Sequence, residues 1–317
     1  MFTRRAAILL IGPILLIGGA YYLTLAGHSD QLSAATVLDA DLPPTEEAEP
    51  DDSQLRDQCR KTADSAASLL GPDCRLIVRA PFVIGGNLSL SELEHHYRTT
   101  LLPTSRALAT SYFDSPPDAP ITILMFADER SYRAHANRLH AHAPAAYYGF
   151  YQRADRRIVL NIATGTGTLA HELTHALAHF DFPQMPEWFD EGLASLHEQS
   201  EFTDDHLQLR GGSNWRLNYL IPAVRQERLR SLREMLAEPS VRKQHEAVDY
   251  AHARYFCLFL QQRGLLSHFY RKFRTTAVAD PTGRETLCQI HQTDDLSEID
   301  ARFRTWVLKL AEDRKND

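Results

Sequence analysis

No two of the four cysteines (Cys59, Cys74, Cys257 and Cys288) are spaced as C-x-x-C, which sets aside a cysteine zinc site and a dithiol redox pair. Positive charge is not in excess either. The 317 residues carry a formal net charge of −7, so the whole chain has no electrostatic affinity for nucleic acid as a partner. There is no internal repeat and no low-complexity segment in the core-forming part, which excludes a solenoid. What remains is ordinary for a globular protein, with 44% hydrophobic and 24% charged residues. The length allows one large domain or two smaller ones.

One long apolar run stands at the N-terminus. Arg4 and Arg5 precede an uncharged stretch from Ala6 to Gly27. At ~1.5 Å per residue it is long enough to cross a bilayer as a helix, and Pro13 and the Gly18–Gly19 pair are tolerated there. Basic residues before the run predict a cytoplasmic N-terminus and an exported remainder. A cleaved signal peptide is the alternative. Thr24-Leu25-Ala26 is a poor cleavage site and the run is long for a signal core, so residues 1–30 read as an uncleaved anchor. No cysteine lies near its end to carry a lipid. The acidic, proline-containing residues 31–54 read as a disordered spacer, with folded structure starting near Leu55. In an exported chain four cysteines suit two disulfides. The local pairing is Cys59–Cys74 and Cys257–Cys288; four buried free thiols are the alternative.

Beyond the spacer the hydrophobic pattern predicts an α+β fold. "RLIVRAPFVIGG" reads as a strand or hairpin edge and "APITILMFA" as a buried strand. "AAYYGFYQRADRRIVLNIA" reads as two strands around a turn at 153–156. Helical spacing follows Ser89 or Ser91 as N-cap, and again follows Asp128. After Ser195 the chain turns mostly helical: "NWRLNYLIPAVRQERLRSLREMLAEP", interrupted at Pro222, then "AVDYAHARYFCLFLQQRG" and "SEIDARFRTWVLKLAED". The expected organisation is an α+β subdomain over 55–198 and a helical subdomain over 199–317.

Chemistry concentrates in "TLAHELTHALAHFDFPQMPEWFDEGLAS". Thr166 or Thr168 can cap a helix that carries His171-Glu172-Leu173-Thr174-His175, an H-E-x-x-H pattern. Residues four apart share a helix face, so His171 and His175 can present imidazole nitrogens to one metal ion. Glu172 is turned by about 100°. It cannot readily bind from that helix, but it can reach a water and act as general base. With 15 histidines, chance would produce the pattern in about 4% of such chains. The apolar neighbours Leu169, Leu173, Ala176 and Leu177 bury the segment, and buried His-Glu-His needs partners.

A zinc hydrolase needs a third ligand and an open position. Glu191 is the candidate, on a helix started by Pro186, and Glu187 on the same face is its rival. Gly192, a costly residue within a helix, suits a close approach of this helix to the histidine helix. Asp181 stands where a longer pattern places a third histidine. That pattern requires a glycine at 178, where this chain has Ala178, so the helix should run on and carry Asp181 away. His179 continues the metal face one turn further as an outer-layer or surface residue, Asp190 reads the same way, and Trp188 reads as core. Tyr250 and His252 are candidate donors to a substrate oxyanion, against a reading of both as helix packing. His95, His96, His135, His140 and His142 read as surface residues.

"HELTHAL" followed by "PEWFDEGLAS" resembles the gluzincin metallopeptidases, specifically the bacterial peptidase-MA-like domains. His171, Glu172 and His175 match the first motif; Trp188, Glu191, Gly192 and Ala194 match the second. The likeness spans roughly Arg75 to His197. It implies zinc held by His171, His175 and Glu191, Glu172 as general base, and "RRIVLN" as the sheet-edge strand along which a peptide substrate lies. A G-x-M-E-N motif is missing, so the chain does not resemble the aminopeptidases that carry one. The expectation is a Zn2+-dependent endopeptidase tethered to the inner membrane, acting outside the cytoplasm (the periplasm in a Gram-negative cell) on peptide or protein substrates. A non-catalytic peptidase-like binding module, or an envelope-assembly factor, is the competing reading.

Overall fold

The computed structural model describes residues 35–38, 50–139, 148–205 and 207–316. The stretch Ala6–Gly27, expected as an anchor, lies outside them, as do His140 and His142. Among the described residues no helix is long and apolar enough to cross a membrane.

Six strands form a mixed sheet. They are β1 (Thr36–Leu38), β2 (Arg75–Arg79), β3 (Phe82–Gly86), β4 (Ile121–Phe126), β5 (Gly149–Gln152) and β6 (Arg157–Asn161), in the order β1-β2-β3-β4-β6-β5. The β2/β3 and β5/β6 pairs are antiparallel, while β1/β2, β3/β4 and β4/β6 are parallel. The anticipated α+β character is therefore present. All six residues of β4 are buried, as fits a strand covered on both faces. Alternation divides them: Ile121, Ile123 and Met125 enter one core, Leu124 and Phe126 the other. β6 does the same, with Ile158 and Leu160 on the first side and Val159 on the second. Gly86 sits at φ +147°, and a Cβ there would fall 1.7 Å from the Met125 carbonyl oxygen. Only glycine allows β3 to end so close to β4.

The smaller core lies under α1 (Pro50–Leu70) and, further along the chain, α4 (Glu129–Leu139), which contribute Cys59, Ala63, Tyr132 and Ala136. Two expectations change here. The helix begins at Pro50, and Thr36–Leu38 within the expected spacer pairs with β2. His135 is not a free surface residue. Its ring stacks on Phe126 at 4.2 Å between centroids, and Nε2 lies 3.7 Å from the Cys74 sulfur.

The larger core carries α2 (Leu90–His96), α3 (Leu102–Ser111), α5 (Thr166–Asp181) and α6 (Glu187–His197). Ser89 is the cap of α2, in a reciprocal box with Glu92. The short hairpin β7 (Ser200–Phe202) and β8 (Leu209–Gly211) leads to α7 (Leu217–Arg225), α8 (Leu232–Ala237), α9 (Glu246–Gln262), α10 (Leu266–Thr276), α11 (Arg284–His291) and α12 (Leu296–Asn316). Pro222 lies inside α7 and does not end it; the chain leaves the helix after Arg225, and Ser231 caps α8.

α6 and α9 form the most extensive helix pair, joining the two halves of the chain around Gly192. A Cβ at 192 would sit 2.8 Å from the Ala253 carbonyl oxygen and 2.9 Å from the Cys257 sulfur. The glycine thus serves contact with α9, not with the histidine helix as expected. Cys257 is used in this packing, and the anticipated disulfides are absent: all four cysteines are free. Burial pushes the Cys59 thiol up to about 11 and that of Cys257 higher still, so both remain protonated packing groups.

His252 is fully buried on α9, stacked on Phe303 at 5.3 Å. Its ring packs as core, which removes it from the candidate oxyanion donors. Burial holds its pKa down to about 3.

Two measurements check these contacts. Gly192→Ala should lose about 1–3 kcal/mol of unfolding free energy, because backbone on α9 must shift. The buried His252 binds its proton only near pH 3, whereas an unfolded histidine binds one below about 6.5. Stability is therefore lost as pH falls through this window. Between about pH 6 and 4.5, denaturant titrations of His252→Phe should show a pH slope shallower than wild type by about 1.4 kcal/mol per unit.

Candidate metal centre

α5 starts after Gly165, which has no side-chain cap bond; neither Thr166 nor Thr168 fills that role. Leu169, Leu173, Ala176 and Leu177 pack the helix into the large core. Its other face turns toward edge strand β5 and toward α6. There His171 and His175 stand one turn apart, with Nε2 atoms 3.1 Å from one another.

Glu191 reaches them from α6. Its Oε2 lies 3.6 Å from His171 Nε2 and 3.7 Å from His175 Nε2. That oxygen is buried and has no hydrogen-bond partner, which is costly for a carboxylate unless a cation completes it. A tetrahedral ion with bonds of ~2.0–2.1 Å separates neighbouring donor atoms by roughly 3.3 Å. The three observed edges bracket that value, and the donor set of two imidazoles and one carboxylate suits a borderline divalent metal. His171, His175 and Glu191 can hold such an ion. Burial opposes charge on Glu191, yet the two imidazoles beside it hold its carboxyl well below the usual carboxylate range.

Asp190 takes the outer-layer place expected of it, behind a candidate ligand. Its Oδ1 accepts a 2.8 Å hydrogen bond from His175 Nδ1. In the neutral ring the proton is thereby kept on Nδ1, which leaves the Nε2 lone pair for an ion shared with His171 and Glu191. Burial works against a charged His175, but the Asp190 and Glu191 carboxylates overcome it and raise its pKa well above the ordinary value.

The rival ligands are engaged elsewhere. Asp181 remains on the unbroken helix, where it pairs with Arg274 and accepts the Asp114 and Ser115 amides. Glu187 accepts the Val241 amide. Trp188 is fully buried core. Glu172 is also buried, at 7% exposure. Burial raises its pKa, partly offset by the two histidines and by a hydrogen bond from the Tyr151 backbone.

A cavity of about 400 Å3 opens over these groups, bordered by His171, Glu172, His175 and Glu191 and also by Tyr151 and Tyr250. The Arg216 guanidinium lies 5.3 Å from the centroid of the Tyr250 ring. His179, Arg153 and β5 complete the wall. The strand along the cavity is not "RRIVLN". β6 is enclosed between β4 and β5, because the turn at 153–156 folds Gly149–Gln152 back onto the outside. Sequence reading passed over Tyr151, whose only signal was its place in a short strand beside the motif.

No protein-family model matches the chain, and no curated protein matches it significantly.

Removing the Asp190 carboxylate should loosen metal binding while leaving all three ligand atoms in place. Asp190→Asn should weaken affinity by about 10–100-fold, measured by competition with a chromogenic chelator. Unchanged affinity would show that Asp190 does not orient His175.

Proposed function

We propose that the protein is a zinc-dependent peptidase of gluzincin type, an endopeptidase acting on peptide or protein substrates. The observation that carries this reading is the meeting of His171, His175 and Glu191 from two helices around a buried, unpartnered carboxylate oxygen, with Glu172 beside them in one open cavity. A structural metal site needs neither a buried fourth acidic group nor an opening to solvent.

In this reading His171, His175 and Glu191 hold zinc. When bound, the ion supplies Lewis acidity, polarising a substrate carbonyl and making water a stronger nucleophile. Glu172 takes the proton from the attacking water and passes it to the leaving amine. Burial suits it to both steps, because a carboxyl with a raised pKa returns a proton more readily than an exposed one. An extended substrate pairs with edge strand β5, which among the described residues has no strand on its outer side. Arg4, Arg5 and the apolar run Ala6–Gly27 support a single-pass anchor with the enzyme outside the cytoplasm.

Paired variants separate catalysis from metal binding. Glu172→Gln should keep its zinc and its melting temperature while peptide cleavage falls by about 10²–10⁴-fold. His175→Ala and Glu191→Ala should lose the metal. Metal content and cleavage rate are read on the same preparations. Undiminished cleavage by zinc-loaded Glu172→Gln sinks the mechanism, and full zinc content in Glu191→Ala sinks the ligand set.

A further inference from the structure

His179 lies one turn beyond His175 on the metal-facing side of α5. Two hydrogen bonds decide where its proton sits. Arg153 Nε donates to His179 Nε2 at 2.6 Å, and a second guanidinium N–H of Arg153 donates to the Pro183 carbonyl. A guanidinium only donates. Nε2 must therefore accept, and the single proton of the neutral ring is confined to Nδ1. That nitrogen lies 2.9 Å from the Tyr151 hydroxyl oxygen. The ring N–H donates and the phenol oxygen accepts, so the Tyr151 O–H hydrogen cannot be used on His179.

No other described side chain takes that hydrogen. Tyr151 borders the same cavity as His171, His175 and Glu191. The geometry points to Tyr151 as a catalytic hydrogen-bond donor, its hydroxyl reserved for the substrate carbonyl oxygen as negative charge develops on it. His179 and Arg153 are positioning residues that set the polarity of the hydroxyl. The role rests on the peptidase reading above.

Three further observations agree with it. Burial pushes the Tyr151 phenol up to about 12, so it keeps its proton at neutral pH. Burial, and then the charge of Arg153, hold His179 below its ordinary value, so the ring is neutral. The Tyr151 backbone also bonds to Glu172. One residue of β5 thus fixes the base through its main chain and presents the donor through its side chain. Without Arg153, His179 is free to adopt the other tautomer and accept the Tyr151 hydrogen, which withdraws the donor.

The test uses the zinc-loaded full chain and a peptide selected from a random library by wild-type cleavage. Tyr151→Phe should lose about 10²–10³ in kcat with KM within about two-fold and unchanged zinc content. Arg153→Met should lose a smaller part of kcat, and Arg153→Lys, which can still only donate, should recover most of it. Independently of turnover, ¹⁵N NMR should find the His179 proton on Nδ1 in wild type and a mixture of tautomers in Arg153→Met. Wild-type kcat in Tyr151→Phe, a comparable loss found in Tyr250→Phe instead, or a proton on Nε2 of His179 overturns this role alone. A wild-type chain that cleaves no peptide overturns the peptidase reading and this role together.

Discussion

The approach of α6 to α9 at Gly192 is the constraint on which the rest depends. The α9 backbone at Ala253 and the Cys257 sulfur occupy the space a side chain would need. This contact seats Trp188, Phe189 and Leu193 in the aromatic core and sets the rotation of α6. The residues immediately before the glycine, Asp190 and Glu191, are then turned away from α9 and toward α5. Hydrophobic burial on one side of the helix thus supplies the free energy that holds two carboxylates beside two imidazoles on the other.

The second support comes from the sheet. β5 is a short edge strand, and its backbone amide at Tyr151 reaches Glu172. Its side chains meet His179 and the cavity. Apart from Arg153, which stands on the turn at 153–156, the polar groups over the cavity are tied to regular elements: α5 supplies His171, Glu172, His175 and His179, α6 supplies Asp190 and Glu191, β5 supplies Tyr151 and α9 supplies Tyr250. Such an arrangement holds these groups in fixed mutual positions. Asp181, at the far end of α5, anchors that helix to Arg274 of α10 and to the amides of residues 114 and 115, limiting its freedom to slide.

Much of this was legible in the residues. Period-two and three-to-four patterns marked β2 to β6, α5, α6, α9 and α12, because burial of one face is written into local spacing. His171 and His175 follow from helix geometry alone. Ala178 in place of a turn-forming glycine already implied that Asp181 would be carried off, and it is. Trp188 as core was equally readable from its size and its apolar neighbours.

Other features required the tertiary structure. Gly192 signalled a close helix contact, but whether its partner was α5 or α9 depends on how the two halves dock. Cysteine count and a presumed compartment suggested disulfides, yet Cys257 is spent on the α6 contact, and spacing carries no information about the distance between sulfurs. The edge strand was misassigned because strand order is not a local property: a four-residue hairpin arm, Gly149–Gln152, is enough to enclose β6. Helix periodicity by itself determined which histidines share a face. Only the packing of helix on helix and strand on helix decided which carboxylate meets them, that Asp190 orients His175, and that Arg153 and Tyr151 close on His179, because these contacts join residues that sequence spacing cannot bring together.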